Sequence, residues 1–326
     1  MTNKQELSFD YINFVKPGTR DIESPFGLLQ RAALIVCELS EQFIVDEVET
    51  KGLFGYTWSA KLHGKYITED GEEKTEHVGF IAAGGNEGST FFNFTGKAMK
   101  YIHAPHLKTI LEREKSRLTR VDICFDDHEG ERTPFDVQEA YKNGQFKNRG
   151  QNPSHSLAGP WDNPDKWEQG LTYYVGNRKN GKMFRCYHKG RELGNPESNW
   201  VRHEVEYRRA NKREIPLDIL ERPRDYFVSA YPWLEWAADA ETMNAGLVRQ
   251  EAQKITLNHI VHHAKRSYGK LFHFLHKKLH MDAEQILTKL RQYGSPERID
   301  ERYIWDVSGC PELERFCPST GEILTT

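Results

Sequence analysis

The sequence has no run of apolar residues long enough to cross a bilayer, which excludes a helical membrane protein. No secretion signal is indicated near its start, because the first ten residues are largely polar and carry charges of both signs. The 12% aromatic and 29% charged residues are typical of a globular chain and not of a disordered one. We therefore expect a soluble protein of the cytoplasm.

Cysteine is scarce, with five in 326 residues and no Cys-x-x-Cys pair. An odd number of mostly distant cysteines gives no support to a disulfide framework, and the missing pair argues against a zinc ribbon. We expect these thiols to be reduced. The five are Cys37, Cys124, Cys186, Cys310 and Cys317.

Glycine-rich phosphate-binding motifs are also missing, since the sequence contains neither GxGxxG nor a P-loop. Nucleotide binding therefore has no support. A group of histidines has helical spacing, but no carboxylates or cysteines accompany it, so we expect surface or nucleic-acid-facing histidines and not metal ligands. They are His259, His262, His263, His273, His276 and His280.

The net charge of −3 and the pI near 6.5 exclude a uniformly basic surface. Basic residues are nevertheless concentrated in two segments. The first contains Arg178, Lys179, Lys182, Arg185, Lys189 and Arg191, and the second contains Arg202, Arg208, Arg209, Lys212 and Arg213 beside two glutamates. These segments predict a surface that holds nucleic-acid phosphates, and a solvated basic face is the alternative.

Alternating apolar and polar residues in the first two thirds of the chain predict strands at 7–14, 54–65, 76–83, 89–96, 118–127, 171–176, 183–188 and 200–207. Helical spacing is found at 25–45, 97–118 and 135–142, and Thr133 and Pro134 are typical of a helix start. Gly84-Gly85-Asn86 and the type I′ pair Asn180-Gly181 predict hairpins. We expect an α+β fold with a largely antiparallel sheet flanked by helices.

The pattern changes after about residue 214, where helical spacing dominates at 217–221, 224–236, 241–278 and 282–293. The remaining residues are rich in proline, glycine and serine. We therefore expect an α+β domain over 1–215, a helical lobe over 216–293 and an irregular C-terminal tail over 294–326.

Three of the predicted strands place charged residues on one face, because residues two apart in a strand point the same way. In 118–126 the polar face contains Arg120, Asp122, Cys124 and Asp126. In 200–207 it contains Arg202, Glu204 and Glu206, and in 183–189 it contains Arg185, Tyr187 and Lys189. The wet face of an antiparallel sheet has the same alternation, so each strand alone is also consistent with a purely structural role.

If the three strands are neighbours, their carboxylates suit Mg²⁺ or Mn²⁺, which polarise a phosphodiester. The cations would hold flanking phosphates. Tyr187 would then be placed as a nucleophile that forms a covalent phosphodiester, so that a cut strand can be rejoined.

Several segments, in this order, resemble the rolling-circle replication initiation factor family, the Rep_trans initiators of plasmids, filamentous phages and some integrative elements. They are 6–10 (ELSFD), 118–126 (LTRVDICFD), 174–178 (YVGNR), 184–189 (FRCYHK) and 200–206 (WVRHEVE), with a fainter match at 268–271 (YGKL). The resemblance implies a divergent form of the fold of the His-hydrophobic-His (HUH) nucleases. The chain itself has no His-hydrophobic-His metal segment of that kind.

The resemblance implies that Tyr187 is the nucleophile, with Arg185 and Lys189 beside it. Tyr173 and Tyr174, on the preceding strand, are its competitors. The implied divalent metal, Mg²⁺ or Mn²⁺, is held by Asp122 and Glu204 with Glu206 or Asp126, and Asp10 is a weaker candidate. The expected DNA-binding residues are Arg178, Lys179, Lys182, Arg202, Arg208 and Arg209. Asn177 and Asn180 stand where relatives often carry serine, which leaves the local DNA contacts open.

We therefore expect a metal-dependent endonuclease that nicks and rejoins one origin strand through a 5′-phosphotyrosine. Its expected partners are origin DNA, a host replicative helicase and a second copy of the chain. A conjugative relaxase would perform the same reaction, and a DNA-binding regulator would keep the fold without the activity. A carbohydrate or nucleotide hydrolase fits badly, because Glu204 and Glu206 on one strand cannot flank a bond from opposite sides.

Overall fold

The computed structural model describes residues 6–18, 24–50, 52–68, 71–147, 150–210, 213–238, 241–242, 261 and 264–292. Contacts divide the chain into two compact units. The first consists of Met1–Lys189 and Asn199–Gly246, and the second of Gly190–Ser198 and Leu247–Thr326. The first unit contains the sheet, and the second contains helical residues at 264–277 and at Ala283–Leu290.

The described part of the first unit is built on an eleven-stranded sheet. Its strands are β1 (Glu6–Lys16), β2 (Phe43–Val45), β3 (Trp58–Ile67), β4 (Glu73–Ala83), β5 (Thr90–Thr95), β6 (Arg117–Asp127), β7 (His155–Ala158), β8 (Thr172–Asn177), β9 (Lys182–His188), β10 (Val201–Arg208) and β11 (Glu241–Thr242). They lie in the order β2-β3-β4-β5-β1-β6-β10-β9-β8-β7, with β11 parallel to β1. All other pairs are antiparallel, which confirms the predicted fold class.

Two turns join neighbouring strands near the predicted positions. The glycine pair at 84–85 lies between β4 and β5, as expected. The turn between β8 and β9 is longer than the predicted two-residue type I′ turn, because Arg178–Asn180 form a 3₁₀ turn that Gly181 closes at φ +86°. The side chain of Asn177 caps this turn by accepting a hydrogen bond from the Asn180 N–H at 3.1 Å.

Most of the helices begin at a local signal, either a proline in the first turn or a capping box. The helices are α1 (Pro25–Leu39), α2 (Ala104–Arg113), α3 (Pro134–Lys142), α4 (Lys189–Glu192), α5 (Pro223–Ser229) and α6 (Ala283–Leu290). Thr133 and Asp136 form a capping box at the start of α3, which confirms the predicted start. Helix α1 is shorter than predicted, since residues 43–45 pair with β3 as β2. Helix α2 is shorter too, and Lys115, just beyond its end, adopts φ +51°.

One face of the sheet carries the main hydrophobic core. Ile12 of β1, Ile123 of β6 and Val205 of β10 are fully buried on this face, as their alternation predicts. Helices α1, α2, α3 and α5 contribute residues to the same core. The opposite face is therefore left for the polar side chains.

Residues 217–237 belong to this core and not to a separate lobe. Ile219, Phe227 and Leu234 are fully buried in it, and their segment belongs to the first unit together with the sheet. The structural division thus lies further along the chain than the predicted boundary after residue 215. The roles predicted for the two parts stay predictions.

Several sequence predictions lie outside the described residues. These are the tail over 294–326, Cys310, Cys317, Lys212, and the histidines at 259, 262 and 263. His273, His276 and His280 are described and exposed. None of the helices among the described residues could span a membrane.

His203 faces the main core from β10. Its ring stacks on Phe184, with ring centroids 6.1 Å apart, and lies edge-on to Trp236 at 5.2 Å. Burial, together with the nearby charge of Arg132, lowers the pKa of His203 to about 3. The folded protein therefore holds this imidazole neutral.

Acidification is expected to destabilise the fold through His203. Its pKa is 6.5 when unperturbed and about 3 when folded, so the unfolded chain binds the proton first as the pH falls. The stabilisation is complete above pH 6.5 and should fall by roughly 1.4 kcal/mol per pH unit below it. His203→Phe should remove this dependence in urea unfolding at about pH 7 and pH 5. An equal acid-induced loss in both proteins would contradict the prediction.

Candidate active site

The three strands that carry the predicted site residues are neighbours, in the order β6-β10-β9. Arg202 of β10 lies opposite both Asp126 of β6 and Tyr187 of β9, and Glu204 lies opposite Arg185. Directly opposed residues of antiparallel strands point to the same side. The predicted polar face is therefore present, on the side of the sheet away from the main core.

Strand β1 extends this face beyond β6. The register between β1 and β6 shifts between Phe9 and Tyr11, and this bulge places Tyr11 opposite Asp122. Asp10, at the bulge, accepts a hydrogen bond from Nη1 of Arg202 at 3.0 Å. The ELSFD segment near the start thus joins the site through Asp10.

Asp122 and Glu204 form a buried pair of carboxyl groups at the centre of the face. Asp122 accepts a hydrogen bond from Nε of Arg120 at 2.8 Å, and Glu204 accepts one from Arg185. Burial, and then the charges of Asp10 and Asp122, raise the pKa of Glu204 to about 8. Burial also raises the pKa of Asp122, to which Glu204 is hydrogen-bonded. At neutral pH the pair therefore retains a proton that a bound cation would displace.

Glu206 is held by arginines. Its carboxylate accepts hydrogen bonds from Nε of Arg178 at 2.8 Å and from Nε of Arg208, and Nη2 of Arg120 lies 3.7 Å away. Burial favours its neutral form, but these hydrogen bonds outweigh burial and lower the pKa of Glu206. This carboxylate is ionised and its charge is already compensated.

Asp126 is also fully occupied by protein donors. Arg202 binds both of its oxygens, through Nε at 2.7 Å and Nη2 at 2.9 Å. The indole of Trp200 adds a third hydrogen bond at 2.6 Å. Because Arg202 also reaches Asp10, it links β10 to both β6 and β1. This geometry is typical of a structural ion pair.

Tyr187 lies at the edge of the carboxyl pair. Its hydroxyl donates a hydrogen bond to Oε2 of Glu204 at 3.4 Å. The guanidinium carbon of Arg185 and the Nζ of Lys189 each lie 5.7 Å from the centre of its ring. Lys189 is the first residue of α4 and not part of β9, so it approaches the tyrosine from the end of the strand.

The two competing tyrosines are in different positions. Tyr173 is 1% exposed and lies in the main core, where burial raises its pKa to about 12. Tyr174 lies opposite Arg185 and therefore on the polar face. Of the two, only Tyr174 shares a face with Tyr187.

Some of the predicted DNA-binding residues are bound to other groups of the protein, and others are exposed. Arg202 is buried in its ion pairs, and the amine of Lys182 donates to the carbonyl of Ala230. Arg208 is bound to Glu206, and Arg209 pairs with Glu214 at 2.8 Å. The side chain of Arg178 is 52% exposed although it contacts Glu206, and Lys179 is exposed beside it. The turn between β8 and β9 therefore presents the accessible positive charge.

A divalent metal fits one part of this face. Within the described ranges, no group of three or more His, Cys, Asp or Glu residues is arranged as a metal-ligand set. The proton-holding pair Asp122 and Glu204 nevertheless supplies the carboxyl oxygens that Mg²⁺ and Mn²⁺ prefer. Arg120 binds both oxygens of Asp122, just as arginines bind both oxygens of Asp126 and of Glu206. What distinguishes Asp122 and Glu204 among the predicted ligands is the retained proton, whose place a bound cation would take.

Tyr11, Asn13 and Asn93 also contribute to the polar face, and none of them was predicted. The amide of Asn93 donates to the hydroxyl of Tyr11 at 2.7 Å and to Oδ1 of Asn13 at 3.0 Å. The guanidinium of Arg120 lies over the Tyr11 ring at 4.1 Å. Alternation counted from Leu7 places Tyr11 and Asn13 on the core face, so the bulge after Phe9 hid both of them.

Comparisons with known proteins agree with the sequence motifs. No curated protein matches the chain. A solved structure of a rolling circle replication initiator protein from Geobacillus stearothermophilus is similar at 15% identity and a TM-score of 0.45, covering 63% of this chain and 74% of that one. The sequence model of the replication initiation factors (Rep_trans) matches residues 116–290, more than half of the chain. As its motifs predicted, the chain belongs to the replication initiation factor family.

Proposed function

We propose that this protein nicks one strand of origin DNA through Tyr187 and later rejoins it. The carrying observation is that Tyr187 hydrogen-bonds Glu204, one member of the buried carboxyl pair, and has two cations within 6 Å of its ring. A nucleophile, a carboxyl group that orients its hydroxyl, and phosphate-binding charges are thus close together.

The proposed cut is a transesterification. The phenolic oxygen of Tyr187 attacks the phosphorus, its proton is released to solvent, and the bond from phosphorus to the 3′ oxygen breaks. The released 3′ oxygen takes up a proton from solvent, and the 5′ phosphate stays on Tyr187. Rejoining reverses these steps, with a 3′ hydroxyl as the attacking group. Arg185 and Lys189 stabilise the charge that develops on the phosphate.

Asp122 and Glu204 are the proposed metal-holding residues, with Asp10, whose charge acts on Glu204, as a further candidate. A bound Mg²⁺ or Mn²⁺ ion would supply charge that polarises the phosphodiester. Asp126 and Glu206 would instead keep their arginine partners and maintain the shape of the face.

Glu204→Gln is expected to weaken Mn²⁺ binding by about 10- to 100-fold, because it removes one charged oxygen ligand. Glu206→Gln is the matched control, since its carboxylate already neutralises arginines, and its Mn²⁺ affinity should stay within about 2-fold of wild type. Electron paramagnetic resonance of free Mn²⁺ measures both without DNA. A larger loss of Mn²⁺ affinity in Glu206→Gln than in Glu204→Gln would assign metal binding to Glu206 and not to Glu204.

Origin DNA is the proposed partner, and the exposed cations of the turn between β8 and β9 would hold its phosphates. Recruitment of a host helicase and pairing with a second copy are carried over from the family resemblance as further proposals. We also retain the cytoplasm as the proposed location.

The direct test is to incubate the protein with Mn²⁺ and a single-stranded oligonucleotide from its origin, and to map any covalent adduct by mass spectrometry. We expect a 5′-phosphorylated peptide that contains Tyr187. An adduct on Tyr174 would move the nucleophile to the neighbouring strand. If the protein binds the oligonucleotide without forming an adduct, it is a regulator and not a nicking enzyme.

A further inference from the structure

An aromatic cluster lies on the polar face of the sheet, away from the carboxyl pair. It consists of Phe54, Tyr56, Phe80 and Phe91, here called the aromatic platform. Phe80 lies opposite Asn93, and Asn93 hydrogen-bonds Asn13 and Tyr11 on the polar face. The platform and the candidate active site therefore belong to the same side of one sheet.

Phe54 is the accessible ring of the platform. It is 73% exposed, yet it stacks on Phe80 with 6.1 Å between ring centroids and meets Phe91 edge-on at 5.7 Å. A large apolar side chain gains little free energy from so incomplete a burial. Its exposure is consistent with a ring that receives a ligand.

The loop holds Phe54 in this position at a cost in backbone energy. Phe54 adopts φ +55°, which is uncommon for residues other than glycine. The side-chain amide of Asn86 donates to its carbonyl at 3.3 Å. The hydroxyl of Tyr56 is fixed by Ser89 at 3.0 Å. Strained residues that surrounding contacts hold in place are often found at binding sites.

Polar and cationic groups connect the platform with the candidate active site. Arg120 lies over Tyr11, and the register places Arg117 opposite Val15, which packs within the platform. Arg117 is exposed and makes no ion pair among the residues that the structure describes. A strand that crosses this face from Tyr187 would thus meet cations before it reaches the rings.

We propose that the aromatic platform stacks bases of the single DNA strand that continues from the nick site. The inference rests on the proposed function and identifies a second contact for the same substrate. Exposed aromatic rings beside arginines are the usual means of holding single strands without reading sequence, since every base has a face that stacks.

The test measures the binding of a fluorescent oligothymidylate of about 16 nucleotides, without metal, so that no cleavage occurs. Phe54→Ala should weaken binding by about 5- to 100-fold, and Phe54→Trp should restore it, because one stacking partner is lost or retained. Leu34→Ala is the matched control. Leu34 is 71% exposed, compared with 73% for Phe54, but lies on α1, which covers the other face. The affinity of Leu34→Ala for oligothymidylate should stay within about 2-fold of wild type.

An abasic strand of equal length separates stacking from charge. It should bind to wild type and Phe54→Ala with equal affinity, because it retains the phosphates and lacks the bases. The proposal that the platform stacks bases would be contradicted if Phe54→Ala bound oligothymidylate as tightly as wild type. It would also be contradicted if Phe54→Ala lost as much affinity for the abasic strand as for oligothymidylate. Neither result affects adduct formation at Tyr187, which tests the proposed function separately.

Discussion

Replacing Tyr187 with phenylalanine is expected to abolish nicking, with a loss on the order of 10⁴-fold or more in the cleavage rate. The change removes only the hydroxyl that donates to Glu204 and leaves the ring between Arg185 and Lys189. Binding of uncleaved single strands should therefore persist. Single-turnover cleavage of a labelled origin oligonucleotide with Mn²⁺ measures the rate, and anisotropy measures the binding.

Tyr174→Phe is the control for this result. It makes the same chemical change on the same face, one strand away and opposite Arg185. We expect it to retain cleavage within about 10-fold of wild type, because its hydroxyl is not needed for the attack. Retained cleavage in Tyr187→Phe together with its loss in Tyr174→Phe would reject the assigned nucleophile.

Arg202→Met is expected to lower the free energy of unfolding by about 3 to 5 kcal/mol. Arg202 binds both oxygens of Asp126 and one oxygen of Asp10, and both Arg202 and Asp126 are buried. Methionine fills much of the space but leaves Asp126 with the indole of Trp200 as its remaining side-chain donor. The cost is the uncompensated buried charge, and urea unfolding measures it.

The matched control is Arg209→Met, which makes the same substitution in an ion pair near the surface. Arg209 contacts Glu214 at 2.8 Å, and their side chains are 37% and 50% exposed. Such pairs contribute about 1 kcal/mol or less. Adding Asp126→Asn to Arg202→Met should recover part of the lost stability. Equal effects of the two single substitutions would show that Arg202 has no special structural role.

The two-residue period of the strands was enough to predict the polar face. The period alone assigns Asp122 and Ile123 to opposite faces of the sheet, and it does the same for Glu204 and Val205. The roles within that face depend on register. Asp126 has an arginine partner because β10 places Arg202 directly opposite it. The sequence of either strand alone does not specify which of its residues will pair with which residue of the other strand.

Other features depended on long-range contacts or local irregularities. Tyr11 lies on the polar face because of the bulge at Asp10, whereas a two-residue period counted from Leu7 would place it on the core face. Phe227 and Leu234 have helical spacing, but only packing shows that they complete the core of the sheet. The aromatic platform joins residues from β4, β5 and a loop, so no single segment predicted it.

The place of β9 inside the sheet limits how the proposed reaction can proceed. Both edges of β9 are hydrogen-bonded, to β10 on one side and β8 on the other. Tyr187 is therefore anchored to a stiff backbone and cannot travel with the cut end. For cutting and rejoining at one tyrosine, the exchange of 3′ ends must come from movement of the DNA across a fixed surface.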